Sequence, residues 1–302
     1  MSAGSSNRSD RFAHLPSGLK LCYRREGDDA GPLVVLVAGI GQHLTAWPQA
    51  LVDGLVARGF SVIRFDNRDV GRSTRIARPA PGDLRLLTAR PRPDAYTLVD
   101  MARDVTGLLD AVAVDRAHLV GQSMGGMIAQ TVAARVPRRV ASLTSMISTT
   151  GHRRVGQPDP KSKLLLTAPP ARTIEQAVSS HLRMTRHLSG RDYAIDPHFE
   201  RSYAVEAWAR DGGANPDGLA RQIQAIQASG DRTAELGRIS APTLVVHGDR
   251  DVMVHPSGGR ATAAAIADAQ YVTIPGMGHH LAPGLVDHLL DLIAANVKRA
   301  HV

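Results

Sequence analysis

Apolar residues recur along this chain in two alternating patterns, one typical of buried strands and the other of amphipathic helices. Residues 33–38 form an almost continuous apolar run, which predicts a strand buried on both faces. The pattern over 44–58 predicts a helix that ends at Gly59, and 61–65 is predicted to be the next strand. Apolar positions three and four residues apart over 98–112 predict a second helix.

This alternation stops after Thr150 and returns in the last quarter of the chain. Over 173–230 the apolar spacing is helical and no strand is evident. Strand-like apolar runs reappear at 243–246 and 271–274, and a last amphipathic helix is predicted at 285–297. The middle segment therefore interrupts a regular succession of strands and helices.

The order of elements predicts an α/β fold with a doubly wound, mostly parallel sheet and helices on both of its faces. The core is predicted to comprise residues 16–149 and 237–302, with 150–236 as a helical insertion. Residues 18–25 are expected to begin the sheet as an antiparallel hairpin. The polar, serine-rich start of the chain leads us to expect a disordered leader over 1–15.

Composition and charge favour a globular protein and argue against a nucleic-acid-binding or membrane-spanning one. The 302 residues are 43% hydrophobic and 21% charged, which is ordinary for a globular protein. The formal net charge is +8, but the arginines are spread along the chain and no nucleic-acid-binding motif is present, so we expect no nucleic-acid partner. We find no apolar run as long as a membrane span and no signal-peptide pattern. Cys22 is the only cysteine, which favours a reducing compartment, and we expect a cytoplasmic protein.

A Gly-x-Ser-x-Gly motif is centred on Ser123, between a short apolar strand and a helical stretch. A sharp strand-to-helix turn leaves its central residue strained and exposed above the sheet, and it needs small residues two positions away on either side. Gly121 and Gly125 occupy those two positions. Ser123 is therefore the candidate nucleophile.

A serine hydroxyl needs a general base, and the base needs an acid that orients it. In a doubly wound sheet these groups gather after the carboxyl ends of strands. The loop after 243–246 offers Asp251, which we favour, and Asp249, which is better placed to shape the turn. The loop after 271–274 offers His279 as the first choice of base and His280 as the second.

A transition state with a negatively charged oxygen also needs hydrogen-bond donors. The backbone N–H of Met124, directly after the serine, is the first expected donor. The second is expected from the loop after 33–38, where we choose Ile40 and keep Gly41 as the alternative. Residues expected to line the pocket or shape its loops are Gly39, Gly41, Gln122 and His43.

The order serine, acid, histidine is that of the α/β-hydrolase arrangement. From about Gly18 to its end the chain resembles the α/β-hydrolase fold family, and in particular the branch that contains aclacinomycin methylesterase and related actinobacterial esterases. The matching motifs lie at 37–41, 66–73, 121–126, 247–251 and 275–279.

The resemblance implies roles for several residues. It implies a triad of Ser123, Asp251 and His279, with Met124 and Ile40 as oxyanion donors. It further implies a structural loop in which Asp66 and Arg68 pair with each other, and a helical lid over the pocket formed by the insertion.

We therefore expect a serine hydrolase that uses no metal and no cofactor and that cleaves a small-molecule carboxylic ester through an acyl-enzyme. The same triad can also support perhydrolysis (haloperoxidase activity) and the hydrolysis of carbon–carbon bonds, thioesters or lactones. A serine at position 123 argues against dehalogenases and epoxide hydrolases of this fold, which use a carboxylate nucleophile. A hydrolase fold retained as a ligand-binding receptor is the remaining alternative. The sequence does not distinguish a monomer from a homodimer.

Overall fold

A single eight-stranded sheet organises the molecule. The structure, a computed structural model, describes residues 8–166 and 168–301. Its strands are β1 Arg11–His14, β2 Lys20–Glu26, β3 Leu33–Val37, β4 Ser61–Phe65, β5 Ala117–Gln122, β6 Val140–Met146, β7 Thr243–Gly248 and β8 Gln270–Ile274. They lie in the order β1-β2-β4-β3-β5-β6-β7-β8. The first two pairings, β1 with β2 and β2 with β4, are antiparallel, and all the others are parallel.

Eleven α-helices connect the strands within the described residues. They are α1 Gln49–Ala57, α2 Asp83–Leu87, α3 Leu98–Ala111, α4 Met124–Arg135, α5 Pro160–Leu166, α6 Ile174–Leu188, α7 Pro197–Asp211, α8 Pro216–Ser229, α9 Thr233–Leu236, α10 Ser257–Ala265 and α11 Val286–Lys298. None of the helices in this part of the chain is long and apolar enough to cross a membrane.

The apolar strand residues divide between two cores, one on each face of the sheet. In β3, Val34 and Leu36 face the core built with α1 and α11, whereas Val35 and Val37 face the core built with α3 and α4. Successive side chains of a strand point to opposite faces, so a central strand covered on both sides must be apolar throughout. The two covered faces agree with the predicted doubly wound α/β fold.

The start of the chain differs from the expectation of a disordered leader. Residues 1–7 lie outside the described residues, but Arg11–His14 form β1, which pairs with Lys20–Glu26. Phe12 lies opposite Cys22 and Ala13 lies opposite Leu21 in this pairing. The backbone of this polar segment is thus ordered by hydrogen bonds to a neighbouring strand, which composition alone does not reveal.

The single helix predicted over 44–58 is wrong in its first part. Leu44–Ala46 form a 3-10 turn, and α1 begins only at Gln49. Pro48 lies between them in an extended conformation, with ψ of 129°. Proline lacks an N–H and disfavours a helical conformation in the preceding residue, so the helix starts after it.

Five helices, α5 to α9, lie between β6 and β7, within the range where the sequence predicts a helical insertion. We call residues 160–236 the five-helix segment. It is joined to the loop after β4 by buried ion pairs: Arg210 with Asp66 at 2.5 Å, and Arg221 with Asp69 at 2.8 Å.

The expected pair between Asp66 and Arg68 is not formed. Arg68 instead binds both carboxylate oxygens of Asp104 on α3, at 2.6 and 2.7 Å, while Asp66 contacts Arg210. The two side chains leave the same loop toward different elements, so their closeness in sequence did not indicate their partners. The loop nevertheless holds neighbouring elements together, although through partners distant in sequence.

Candidate active site

The turn between β5 and α4 places Ser123 in a strained conformation, with φ of 54° and ψ of −122°. A methyl group on Gly125 would come within 1.9 Å of the Val37 carbonyl oxygen, and one on Gly121 within 2.3 Å of the Gly125 oxygen. Only glycine therefore fits at either position. The turn is fixed by hydrogen bonds from Ser123 N–H to the Met146 carbonyl oxygen at 2.9 Å and from Ser148 Oγ to the Ser123 oxygen at 2.8 Å.

The loops after β7 and β8 bring an acid and a base to this serine. His279 Nε2 lies 3.0 Å from Ser123 Oγ, and His279 Nδ1 lies 2.7 Å from Asp251 Oδ2. Asp249 accepts the N–H of Gly276 at 2.7 Å instead, and His280 lies 3.2 Å from Glu200. The structure thus brings together the three residues that the sequence analysis favoured and assigns other contacts to the two alternatives.

Asp251 is buried and surrounded by donors. Its Oδ1 accepts the N–H groups of Met253 at 2.9 Å and Val254 at 2.8 Å. Burial alone would raise the pKa of this carboxyl, but the His279 and His247 imidazoles outweigh that effect and lower its pKa to about 2. Asp251 is therefore a carboxylate at neutral pH.

His247 is a contact of Asp251 that the sequence analysis did not assign. Its ring is fully buried, and Nε2 lies 2.8 Å from the Val254 carbonyl oxygen and 3.2 Å from Asp251 Oδ2. Both neighbours only accept hydrogen bonds, so Nε2 carries the hydrogen. The only signal in the sequence was its position four residues before Asp251, directly before the turn.

The loop that carries His279 is packed against the end of α6. The N–H of His279 donates to the Leu188 carbonyl oxygen at 2.6 Å. A methyl group on Gly278 would come within 2.0 Å of that same oxygen. The glycine before the histidine thus permits close approach of the five-helix segment, in addition to the bend expected from the sequence.

Two backbone N–H groups beside Ser123 are free to donate a hydrogen bond to a bound molecule. In the part of the chain that the structure describes, the amides of Ile40 and Met124 donate to no other residue. The amide of Gly41, the alternative to Ile40, already donates to Gln222 Oε1 at 2.8 Å. Ile40 is therefore the better candidate in that loop.

The residues expected to shape the pocket have distinct contacts. Gln42, which the sequence analysis did not single out, accepts from Gly39 N–H at 2.9 Å and from Gln122 Nε2 at 2.6 Å. Gly39, Gly41 and Gln122 line the cavity next to Ser123. His43 contacts Asp211 at 3.1 Å and lies outside the described lining of that cavity.

A cavity of about 260 Å³ opens above Ser123 and His279. The five-helix segment supplies an apolar part of its wall, namely Leu166, Met184, Leu188, Phe199 and Leu219. It also supplies His181 and Glu200, which lie with His280 on a polar part of the wall. Within the described residues, no group of three His, Cys, Asp or Glu side chains is arranged to hold a metal ion.

The chain belongs to the alpha/beta hydrolase fold family, whose family model matches residues 32–282. Among curated proteins, it is similar to the rhodomycin D methylesterase of Streptomyces peucetius, with 30% identity over 295 residues, covering 91% of this chain and 94% of the relative. These matches confirm the predicted fold class and the resemblance to the methylesterase branch.

Solved structures of hydrolases are also similar to this chain over nearly its whole length. A hydrolase from Pseudomonas aeruginosa PA01 has 28% identity and a TM-score of 0.69, with 98% of each chain covered. The enol-lactonase from Burkholderia xenovorans LB400 has 26% identity and a TM-score of 0.71, covering 95% of this chain and 100% of that chain. This protein is therefore an alpha/beta hydrolase whose relatives include esterases.

Proposed function

We propose that this protein is a cofactor-free serine hydrolase that cleaves a small-molecule carboxylic ester through an acyl-enzyme on Ser123. The observation that carries the proposal is the continuous chain of contacts from Ser123 Oγ through His279 to Asp251, at 3.0 and 2.7 Å. These distances are those that a nucleophile, its base and the orienting acid need. The relatives that are named a methylesterase and an enol-lactonase support an ester as the bond cleaved.

In the first half of the reaction, Ser123 Oγ bonds to the ester carbonyl carbon while His279 Nε2 takes the hydroxyl proton. Asp251, a buried carboxylate, stabilises the imidazolium that forms. The tetrahedral intermediate then collapses, the carbon–oxygen bond to the alcohol breaks, and His279 passes the proton to the departing oxygen. The alcohol leaves and the acyl group remains on Ser123.

The negative oxygen of the intermediate needs donors that are already in place. The N–H groups of Ile40 and Met124 serve this role, since neither is engaged elsewhere in the described residues. Met124 is also the first residue of α4, so the partial positive charge at the helix N-terminus adds to its effect.

Deacylation repeats the sequence with water as the nucleophile. His279 takes a proton from water as its oxygen bonds to the acyl carbon, and the bond to Ser123 Oγ then breaks as that oxygen regains a proton. The five-helix segment acts as the lid in this scheme, because its side chains cover the cavity in which the acyl group sits.

Hydrolysis of p-nitrophenyl esters of increasing acyl length tests this proposal. We expect turnover with a pre-steady-state burst of nitrophenol, and a fall in kcat of about 10⁴- to 10⁶-fold in Ser123→Ala. Ser17→Ala, which changes an exposed serine, should behave as the wild type. Absence of turnover on every ester, or full activity in Ser123→Ala, would contradict the proposal.

A further inference from the structure

A second cluster of titratable groups lies in the wall of the same cavity. Glu200 of α7 is only 3% exposed, and its Oε2 lies 2.6 Å from His181 Nε2 of α6. On its other side, Oε1 lies 3.2 Å from Nε2 of His280, the residue after the proposed base. All three residues line the cavity, and none has a role in the proposed ester cleavage.

Glu200 is a carboxylate throughout the neutral range. Burial alone would raise its pKa, but hydrogen bonding to His181 and contact with His280 lower the pKa to about 2. No lysine or arginine lines the cavity in the described residues, and the two imidazoles are the side chains in contact with this carboxylate. An ionised carboxylate can only accept hydrogen bonds, so His181 Nε2 carries the hydrogen that points to Oε2.

The two oxygens of Glu200 are not equally satisfied. Oε2 accepts the hydrogen bond from His181. His280 Nε2 is close enough to Oε1 for an ion pair, but the two groups are not aligned for a hydrogen bond. Oε1 therefore receives no hydrogen bond from any residue that the structure describes. Oε1 is not among the fully buried atoms that lack a partner, so this oxygen of a residue that lines the cavity can accept a donor from another molecule.

The cluster is held in place by its neighbours. Thr185 Oγ1 lies 3.4 Å from His181 Nε2, and the Tyr203 ring packs against the His181 ring with centroids 5.1 Å apart. An acceptor whose orientation is fixed before binding loses little entropy when a donor arrives. Because His280 directly follows His279, this acceptor lies beside the reacting centre.

We propose that Glu200, held by His181 and His280, is a hydrogen-bond-accepting subsite that selects esters carrying a donor group, either a hydroxyl or an ammonium. The same negative charge disfavours esters that carry a free carboxylate. This inference rests on the proposed ester hydrolysis and specifies the class of substrate. The apolar wall formed by Phe199, Leu219 and their neighbours takes the hydrocarbon part of such a molecule.

Matched esters test the subsite. The substrates are the methyl ester of phenylpropanoic acid and its para-hydroxy, para-aminomethyl and para-carboxy analogues, compared by kcat/KM in the wild type. We expect the hydroxy or the aminomethyl ester to exceed the plain ester by about 10- to 100-fold, which is the range for a hydrogen bond to a charged group. The carboxy ester should be the slowest. Preference for one donor only would identify which of the two the subsite takes.

Glu200→Gln keeps the shape of the side chain and removes its charge. For whichever donor-bearing ester the wild type prefers, we expect the ratio of its kcat/KM to that of the plain ester to fall about 10-fold in this variant. Glu206→Gln makes the same change on the exposed side of α7 and should keep the wild-type ratio. Equal kcat/KM for the donor-bearing and plain esters in the wild type would overturn the proposal, as would an unchanged ratio in Glu200→Gln.

Binding separates this proposal from the proposed reaction. Calorimetric titration of the inactive Ser123→Ala variant with the same four esters measures recognition without turnover. Tighter binding of a donor-bearing ester supports the subsite even if the wild type hydrolyses none of the four, a result that would count against the reaction alone. Equal Kd values for all four esters would overturn the subsite even if hydrolysis is fast.

Discussion

At the residue scale, the ionised state of Asp251 depends partly on groups that the proposed reaction does not use. Two backbone N–H groups hold Oδ1, and Oδ2 lies between the His279 and His247 imidazoles. His247 Nδ1 is buried without a partner among the described residues, so its contacts with the site run through Nε2. His247 Nε2 directs its hydrogen at the Val254 oxygen and Asp251 Oδ2, and we infer that this contact positions the carboxylate.

Replacing His247 with Phe removes one donor near Asp251 and largely keeps the ring. The pKa of Asp251 should rise from about 2 toward its ordinary value, because a donor to the charged form is lost. We expect the acidic limb of the kcat/KM profile to move to higher pH, with about a tenfold loss of kcat/KM at pH 7.

His247→Gln, which can still donate from its amide, should restore part of the loss. His255→Phe, at an exposed position in the same loop, should leave the profile unchanged. Superimposable pH profiles for His247→Phe and the wild type would exclude a positioning role.

The sequence singles out Ser123, Asp251 and His279, which the structure brings into contact, because each lies in a short motif whose chemistry is local. Nothing local marks Glu200, which becomes a feature of the site only when α6 and α7 bring it to His181 and His280. That contact joins residues about 80 positions apart in the chain. Such side-chain clusters depend on packing between elements, which periodicity does not specify.

At the scale of elements, the five-helix segment is attached to the sheet by charges buried between them. Arg210 of α7 contacts Asp66 after β4 at 2.5 Å and Asp10 before β1 at 2.8 Å, and all three side chains are at most 7% exposed. One guanidinium thus links three separate parts of the chain. Removing Arg210 leaves the fully buried Asp66 without a cationic partner, whereas Asp10 keeps Arg24 and Arg72.

Arg210→Ala should lower the free energy of unfolding by about 3 to 5 kcal/mol, the usual cost of breaking a buried ion pair from one side. Urea unfolding followed by circular dichroism measures this change. Arg58→Ala is the matched control, since the Arg58–Asp291 pair is on the surface and should contribute less than about 1 kcal/mol. Equal effects of the two substitutions would mean that burial of the Arg210 group adds no stability.

The bounds of elements with a strong apolar periodicity were predicted nearly to the residue. Elements whose bounds depend on one residue, or on pairing with another strand, were not predicted correctly. The helix predicted over 98–112 is Leu98–Ala111, and the strand predicted over 61–65 is Ser61–Phe65. By contrast, Pro48 delays α1, and Arg11–His14 become a strand only because β2 offers a partner edge. The five amino acids of α2 are too few for a helical period to be visible.

At the scale of the whole molecule, three buried carboxyls in different regions have lowered pKa values. They are Asp10 before β1, Glu200 in the five-helix segment and Asp251 beside the proposed base, and each has a pKa of about 2. The unfolded chain regains the ordinary values of 3.8 for Asp and 4.5 for Glu. At pH values between the native and the ordinary pKa values, the unfolded state binds more protons than the folded state. The stabilisation from these carboxyls is therefore complete above the ordinary pKa values and is lost as the pH falls toward the native ones.

We expect the free energy of unfolding to decrease steeply from about pH 4.5 to pH 2, by up to about 1.4 kcal/mol per pH unit for each carboxyl. Asp10→Asn should reduce the slope of this pH dependence by the contribution of one carboxyl. Urea unfolding at a series of pH values measures it. A stability that does not change between pH 5 and pH 3 would show that these carboxyls are not paired as described.

The proposed reaction depends on Ser123 as the nucleophile, activated by His279 and Asp251. Intact-protein mass spectrometry after reaction with a fluorophosphonate, followed by peptide mapping, tests it most directly. We expect one adduct per chain on Ser123 in the wild type, none in Ser123→Ala, and much slower labelling in His279→Ala. An unlabelled wild type, or an adduct that persists in Ser123→Ala, would contradict it.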